Sequence, residues 1–190
     1  YDYAKEALNI TDPEKFDDLF KKMEHYEQIT DRIEYEIGKY LNSIGEGEIS
    51  EESGRRLQAM YKIISELESI GDSGYNLARI MQRVRLQNRQ FDSGMIKKLN
   101  YMMGLLDKGF EVMNTNLNIG YTKIQDISNA QDVEQEINDY RTNLKEEHLL
   151  NLENNTYSYQ TGVYYMDYIS ECEHVGDFMI NISEAIIEIK

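Results

Sequence analysis

The 190-residue chain has a single cysteine, Cys172, a single proline, Pro13, and no tryptophan. One thiol excludes an intramolecular disulfide and points to a reducing compartment. With so little proline, and long segments free of glycine clusters, the pattern is that of helices rather than of a sheet. No stretch approaches 18 consecutive apolar residues, and the first residues lack a basic-then-apolar leader, so no membrane-inserting segment is expected. Basic residues are scarce too: Lys+Arg 20 against Asp+Glu 35 gives a net charge of -15, which repels phosphate backbones and argues against a nucleic-acid partner. No Gly-rich phosphate loop, nucleophile elbow or Ser/His/Asp arrangement is visible, so no enzyme is expected. The chain starts at Tyr1 rather than at methionine, which suggests a piece of something longer.

What is present is helical periodicity. Asp12-Pro13-Glu14 reads as a helix start, with Asp12 as N-cap and Pro13 in the first helical position. Phe16, Leu19, Phe20, Met23, Tyr26, Ile33, Ile37, Tyr40 and Ile44 then recur at steps of three and four, ending near Gly45-Glu46-Gly47. Ser50 opens a second helix reaching to about Gln90. A third is expected over 95–118, a fourth from beyond Gly120 to about Glu153, and a fifth carrying Val163 to Ile189. The spacing predicts an all-α chain.

Two stretches nearly repeat: SELESIGDSGYN from Ser65 and SECEHVGDFMIN from Ser170. Both place a glutamate, an aspartate and an asparagine four residues apart: Glu68, Asp72, Asn76 and Glu173, Asp177, Asn181. On a helix, positions i, i+4 and i+8 share a stripe, so two carboxylates can reach one cation. Acidic pairs at this spacing are common by chance in so acidic a chain, and a solvated face is their ordinary meaning. Recurrence in register, with Gly71 and Gly176 each costing about 1 kcal/mol relative to alanine in a helix interior, argues for more than solvation. A further Glu-x-x-x-Asp pair, Glu27 and Asp31, lies on the preceding helix, and four carboxylates facing one another would raise each other's pKa unless a cation neutralised them. EYEIGKY (from Glu34) also matches EQEINDY (from Glu134) at an offset of 100.

Glu27-Gln-Ile-Thr-Asp31 followed by Glu68-Ser-Ile-Gly-Asp72 and Asn76 resembles the PhoU family of phosphate-uptake regulators, with the likeness running from about residue 14 to the end. The resemblance implies two tandem antiparallel three-helix bundles, 1–92 and 93–190, the first missing most of its first helix. It also implies surface metal clusters of iron or zinc, with Glu27, Asp31, Glu68 and Asp72 as ligands of one site and Glu173 and Asp177 serving another, although the ligand chemistry leaves manganese and magnesium open as well. All-oxygen ligands suit hard or borderline cations. At the offset of 100, Glu27 and Asp31 fall on Ile127 and Gln131, so the second site is expected to be weak or empty unless Asp126 or Asp132 substitutes. The short first bundle suits a PhoU-like cytosolic tail of a Na+/phosphate cotransporter. The expected partner is then the membrane-embedded transporter portion of the same polypeptide, and the expected location is the cytoplasm, tethered to the inner membrane. The uncovered helix from Phe16 to Ile44 predicts self-association, for instance as a homodimer.

Two other readings compete. Glu171-Cys-Glu-His174 contains the Glu-x-x-His of di-iron carboxylate bundles, but Ser69 stands where a symmetric histidine would be needed. A helical adaptor without metal would leave the acidic stripes solvated. His25 and His148 are expected at the surface. The crowding of Tyr157, Tyr159, Tyr164, Tyr165 and Tyr168 raises the expectation of an exposed contact face.

Overall fold

The helix starts predicted at Asp12 and Ser50 have a physical basis that the computed structural model bears out; it describes residues 1–47 and 49–189. Asp12 caps a helix running Pro13–Gly45, its Oδ1 accepting from the backbone N–H of Glu14 at 3.0 Å. Ser50 caps Glu51–Leu86, accepting from Ser53 N–H at 3.2 Å. Asp92 caps Ser93–Ile119 and Ser158 caps Tyr159–Glu188 in the same way. With Asp2–Asn9 at the start and Ser128–Glu153 between the last two long helices, the order is α1 (2–9), α2 (13–45), α3 (51–86), α4 (93–119), α5 (128–153) and α6 (159–188). Gly120, at φ 72°, terminates α4 in a backbone conformation that glycine adopts freely. The fourth helix begins later than periodicity implies: 120–127 form a loop whose Ile124 and Ile127 are buried.

The helices form two antiparallel three-helix bundles, α1–α2–α3 and α4–α5–α6, joined side by side along α3 and α6. A continuous apolar core crosses the join: Leu77 of α3, Leu99, Met102, Met103 and Leu106 of α4, and Tyr168, Ile169 and Ile182 of α6 are fully enclosed. The lone thiol, Cys172, lies here against Met103, and burial pushes its pKa well above the ordinary thiol range.

The bundles are unequal. α4 has 27 residues, whereas its counterpart α1 has eight. On α5 buried residues recur along most of the helix, from Ala130 to His148; on α2 they are Phe16, Leu19 and Met23, then only Leu41. Tyr3 of α1 meets Tyr26 of α2, with ring centroids 5.7 Å apart, and Tyr1 lies beside Gly74 of α3. Beyond that level Ile33, Ile37, Tyr40 and Ile44 of α2 are exposed, as are Leu67 and Met60 of α3. The uncovered surface expected from Phe16 to Ile44 is present only over its distal part, because Phe16, Leu19 and Met23 are buried in the core that α1 shares.

Candidate metal centre

The duplicated motif divides its labour between two faces of the helix. Asn76 Nδ2 donates to Glu171 Oε1 at 3.3 Å, and Asn181 Nδ2 donates to Glu66 Oε1 at 3.2 Å. These mirrored bonds tie α3 to α6 across the join. Asn76 and Asn181 therefore serve the seam, contrary to the expectation that they extend the carboxylate stripe, because eight residues on an α-helix overshoot two turns and rotate the side chain away. Glu171, half of the Glu-x-x-His pair, is held by that seam, while His174 is exposed with Nδ1 3.9 Å from Glu171. Nothing of a di-iron constellation assembles around them among the described residues.

On the other face, Gly71 lets α2 and α3 approach closely. A Cβ at Gly71 would lie 3.0 Å from Thr30 Oγ1. That closeness lets the acids meet: oxygen atoms of Glu27, Asp31 and Asp72 converge within 4.8 Å of one another, the span of ligands around one ion with metal–oxygen bonds near 2.4 Å. Glu68, one turn from Asp72, and Glu34, one turn from Asp31, border the cluster. Sequence reasoning left out Glu34, although its three-residue step from Asp31 places it on the same helix face.

The electrostatics of this cluster are unbalanced. Burial, then Asp72, Glu34 and Asp31, push Glu68 up to about 7. Asp72 is raised by burial and by Asp31, and Glu27 by burial and by Asp31 and Asp72. Arg79 draws on Glu27 from a distance, but among the described residues no lysine or arginine forms an ion pair with any of the four expected ligands. Asp72 Oδ1 is shielded from solvent and has no hydrogen-bond partner there. A buried, unpartnered carboxylate oxygen is costly, and a cation among these oxygens would satisfy it. The donor set fits a hard or borderline metal ion.

Glu68 also yields a pH prediction. Its ordinary pKa is 4.5, so between 4.5 and about 7 the folded protein holds a proton that the unfolded chain has released. Its contribution to stability is then fully present below 4.5 and is lost as pH rises through about 7. Without metal, the melting temperature of wild type relative to Glu68→Gln should fall from pH 5 to pH 8. A difference independent of pH would contradict the crowding of these acids.

The second half differs. Glu173 and Asp177 face α5, but Asp126 and Asp132 do not complete a group with them; Asp126 instead accepts from Ser128. Asp177 is raised by burial, Glu173 and Glu134, and lowered by His174 and Arg141. The guanidinium of Arg141 forms an ion pair with Glu173. Two further expectations are corrected. His148 is buried, its Nδ1 hydrogen-bonded to Tyr157 Oη at 2.8 Å, because α5, the 154–158 turn and α6 close over it. Of the crowded tyrosines, Tyr165 and Tyr168 are core, Tyr157 and Tyr164 pack against it, and Tyr159 alone is well exposed, so they present no common face.

The fold, two three-helix bundles with converging carboxylates on the first, is PhoU-like. The PhoU domain family model matches residues 1–81, the half that carries the converging carboxylates. The solved structure of the phosphate transport system regulatory protein PhoU from Streptococcus pneumoniae is similar over 99% of this chain and 86% of that chain, with a TM-score of 0.67 and 19% sequence identity. That likeness shows the fold. No curated protein matches the chain. No described helix is long and apolar enough to cross a membrane.

Proposed function

We propose that this chain is a metal-binding regulatory domain of phosphate uptake, acting through contacts rather than catalysis, and that it is the PhoU-like part of a Na+/phosphate cotransporter. The observation that carries the metal reading is the convergence of Glu27, Asp31 and Asp72 around an orphaned Asp72 oxygen, with Glu68 held up to about 7 beside it. Glu27, Asp31, Glu68 and Asp72 would hold an iron, zinc, manganese or magnesium ion. The ion would neutralise the cluster and clamp α2 to α3. The regulatory reading is supported by the PhoU domain match over 1–81 and by the fold shared with a phosphate transport regulator.

In this reading the domain lies in the cytoplasm, tethered at the inner membrane through the transporter portion of its polypeptide. Elemental analysis of the purified protein, with thermal melts before and after chelation, tests the metal. Bound metal that raises the melting temperature supports the reading; metal-free protein whose melt is unmoved by added Fe, Zn, Mn or Mg would leave a helical adaptor.

The apolar stripe of α2 supports self-association. Ile33, Ile37, Tyr40 and Ile44 follow the alternating four- and three-residue steps of a coiled-coil seam. Light scattering at high protein concentration should detect dimers that Ile33→Asp with Ile37→Asp dissociates. A wild type that stays monomeric would sink the proposal of a homodimer.

A further inference from the structure

The two halves do not superimpose at the offset that their sequences suggest. Gly71 packs on Thr30 and Gly176 on Ile137, with a Cβ at Gly176 falling 3.2 Å from Ile137 Cδ1. The glycines are 105 apart, but their facing residues are 107 apart, so the offset of 100 is replaced on this pair of helices by 107. In the corrected register Glu27 corresponds to Glu134, Asp31 to Asn138 and Glu34 to Arg141, while Glu68 and Asp72 keep Glu173 and Asp177. Two of the five acids have thus been exchanged, one for an amide and one for a guanidinium.

The exchanged residues act on the acids that remain. Arg141 pairs with Glu173, with the two side chains 30% and 17% exposed, and its charge also reaches Asp177. Asn138 Nδ2 donates to Glu134. A guanidinium is charged at every accessible pH and offers up to five donors in a planar fork, so it can neutralise carboxylates without any ion from solution. His174, the other titratable cation facing Asp177, is exposed on the same helix.

We infer that Arg141 is a built-in counter-cation that replaces the metal in the second half. This rests on the metal reading for the first half. The chain then carries one metal-dependent bundle and one metal-independent bundle: removal of metal loosens α2 against α3 and leaves α5 against α6 unchanged. Of the two acids that the family resemblance assigns to a metal, Glu173 is ion-paired with the guanidinium here and Asp177 lies within reach of its charge.

The test uses Mn2+ as probe. Equilibrium dialysis is expected to find Mn2+ on wild type and none on Glu68→Gln/Asp72→Asn, while Asn138→Asp/Arg141→Glu restores the acid set and roughly doubles the bound metal per chain. Mn2+ that survives in Glu68→Gln/Asp72→Asn and is lost in Glu173→Gln/Asp177→Asn would overturn the inference. So would failure of Asn138→Asp/Arg141→Glu to gain metal that wild type binds.

A measurement without metal separates this inference from the metal reading. In chelator, Arg141→Ala should lower the melting temperature by on the order of 2–4 °C, and Glu173→Gln/Asp177→Asn in the same background should restore most of it. An Arg141→Ala melt equal to wild type would remove the counter-cation role even if the first half binds metal. If wild type binds no metal while Arg141→Ala is destabilised and rescued, the metal reading fails and the replacement of a metal with it, and only the pairing of Arg141 with the acids of the second half stands.

Discussion

Replacing Glu68 with Gln and Asp72 with Asn should abolish metal binding and, in metal-free protein, raise the melting temperature. The two effects have one cause. Glu27, Asp31, Glu68 and Asp72 are held together by the close approach of α2 and α3, without an ion-paired lysine or arginine among the described residues. Their burial, and after it their mutual repulsion, is a standing cost of the fold, visible in the upward shifts of Glu27, Glu68 and Asp72. Amides keep the shape and remove the charge, so metal-free protein gains. With metal the order reverses: wild type at a free ion concentration of 100 Kd gains about 2.7 kcal/mol that the variant cannot. Melts of both proteins with chelator and with saturating Mn2+ should therefore cross. A variant no more stable than wild type in chelator would mean that the acids are solvated independently.

The second large effect is expected at Gly71. A valine there places its Cβ 3.0 Å from Thr30 Oγ1, and Thr30 is not free to turn aside, since its hydroxyl donates to the carbonyl of Glu27 at 2.8 Å. The added branches must push α2 off α3. Overpacking of this kind costs about 1–3 kcal/mol, and the same displacement draws Glu27 and Asp31 away from Asp72. Gly71→Val should therefore lower both the melting temperature and the affinity for Mn2+. Gly104→Ala is the control: nothing lies within 4 Å of a Cβ there, so it should gain up to about 1 kcal/mol from helix propensity and leave the metal alone. If Gly71→Val bound Mn2+ as tightly as wild type, close approach of the helices would not be what builds the site.

Much of the molecule is written locally. Asp12-Pro13, Ser50 and Gly120 mark helix ends because capping and φ preferences act within one turn, and these ends stand where the residues place them. The Glu-x-x-x-Asp pairs were legible for the same reason, since four residues is one turn and carboxylates so spaced must share a face. That Glu27 and Asp31 would meet Asp72 was an inference about two helices. It held because Gly71 allows the contact.

Register was less legible. EYEIGKY and EQEINDY are similar as strings, yet in the fold Glu34 stands where the second half has Arg141. Letters align along the chain, whereas helices align by which residue meets the facing glycine, and the loops and helix lengths between them differ in the two halves. The same limit explains Asn76: eight residues from Glu68 it was expected on the carboxylate stripe, but roughly 80° of rotation past two turns directs it to Glu171. His148 was read as a surface residue because nothing in its own turn reveals that the 154–158 turn closes over it.

The sequence by itself determined the all-α class, the capped helix starts at Asp12 and Ser50, the net charge of -15 and the carboxylate pairs, all set by interactions within a turn or by composition. Only the tertiary structure decided which pairs face one another, that Asn76 and Asn181 lock the halves together, and that Arg141 stands among the acids of the second half. These depend on the rotation and offset of one helix against another, which packing at Gly71 and Gly176 sets and no local rule encodes.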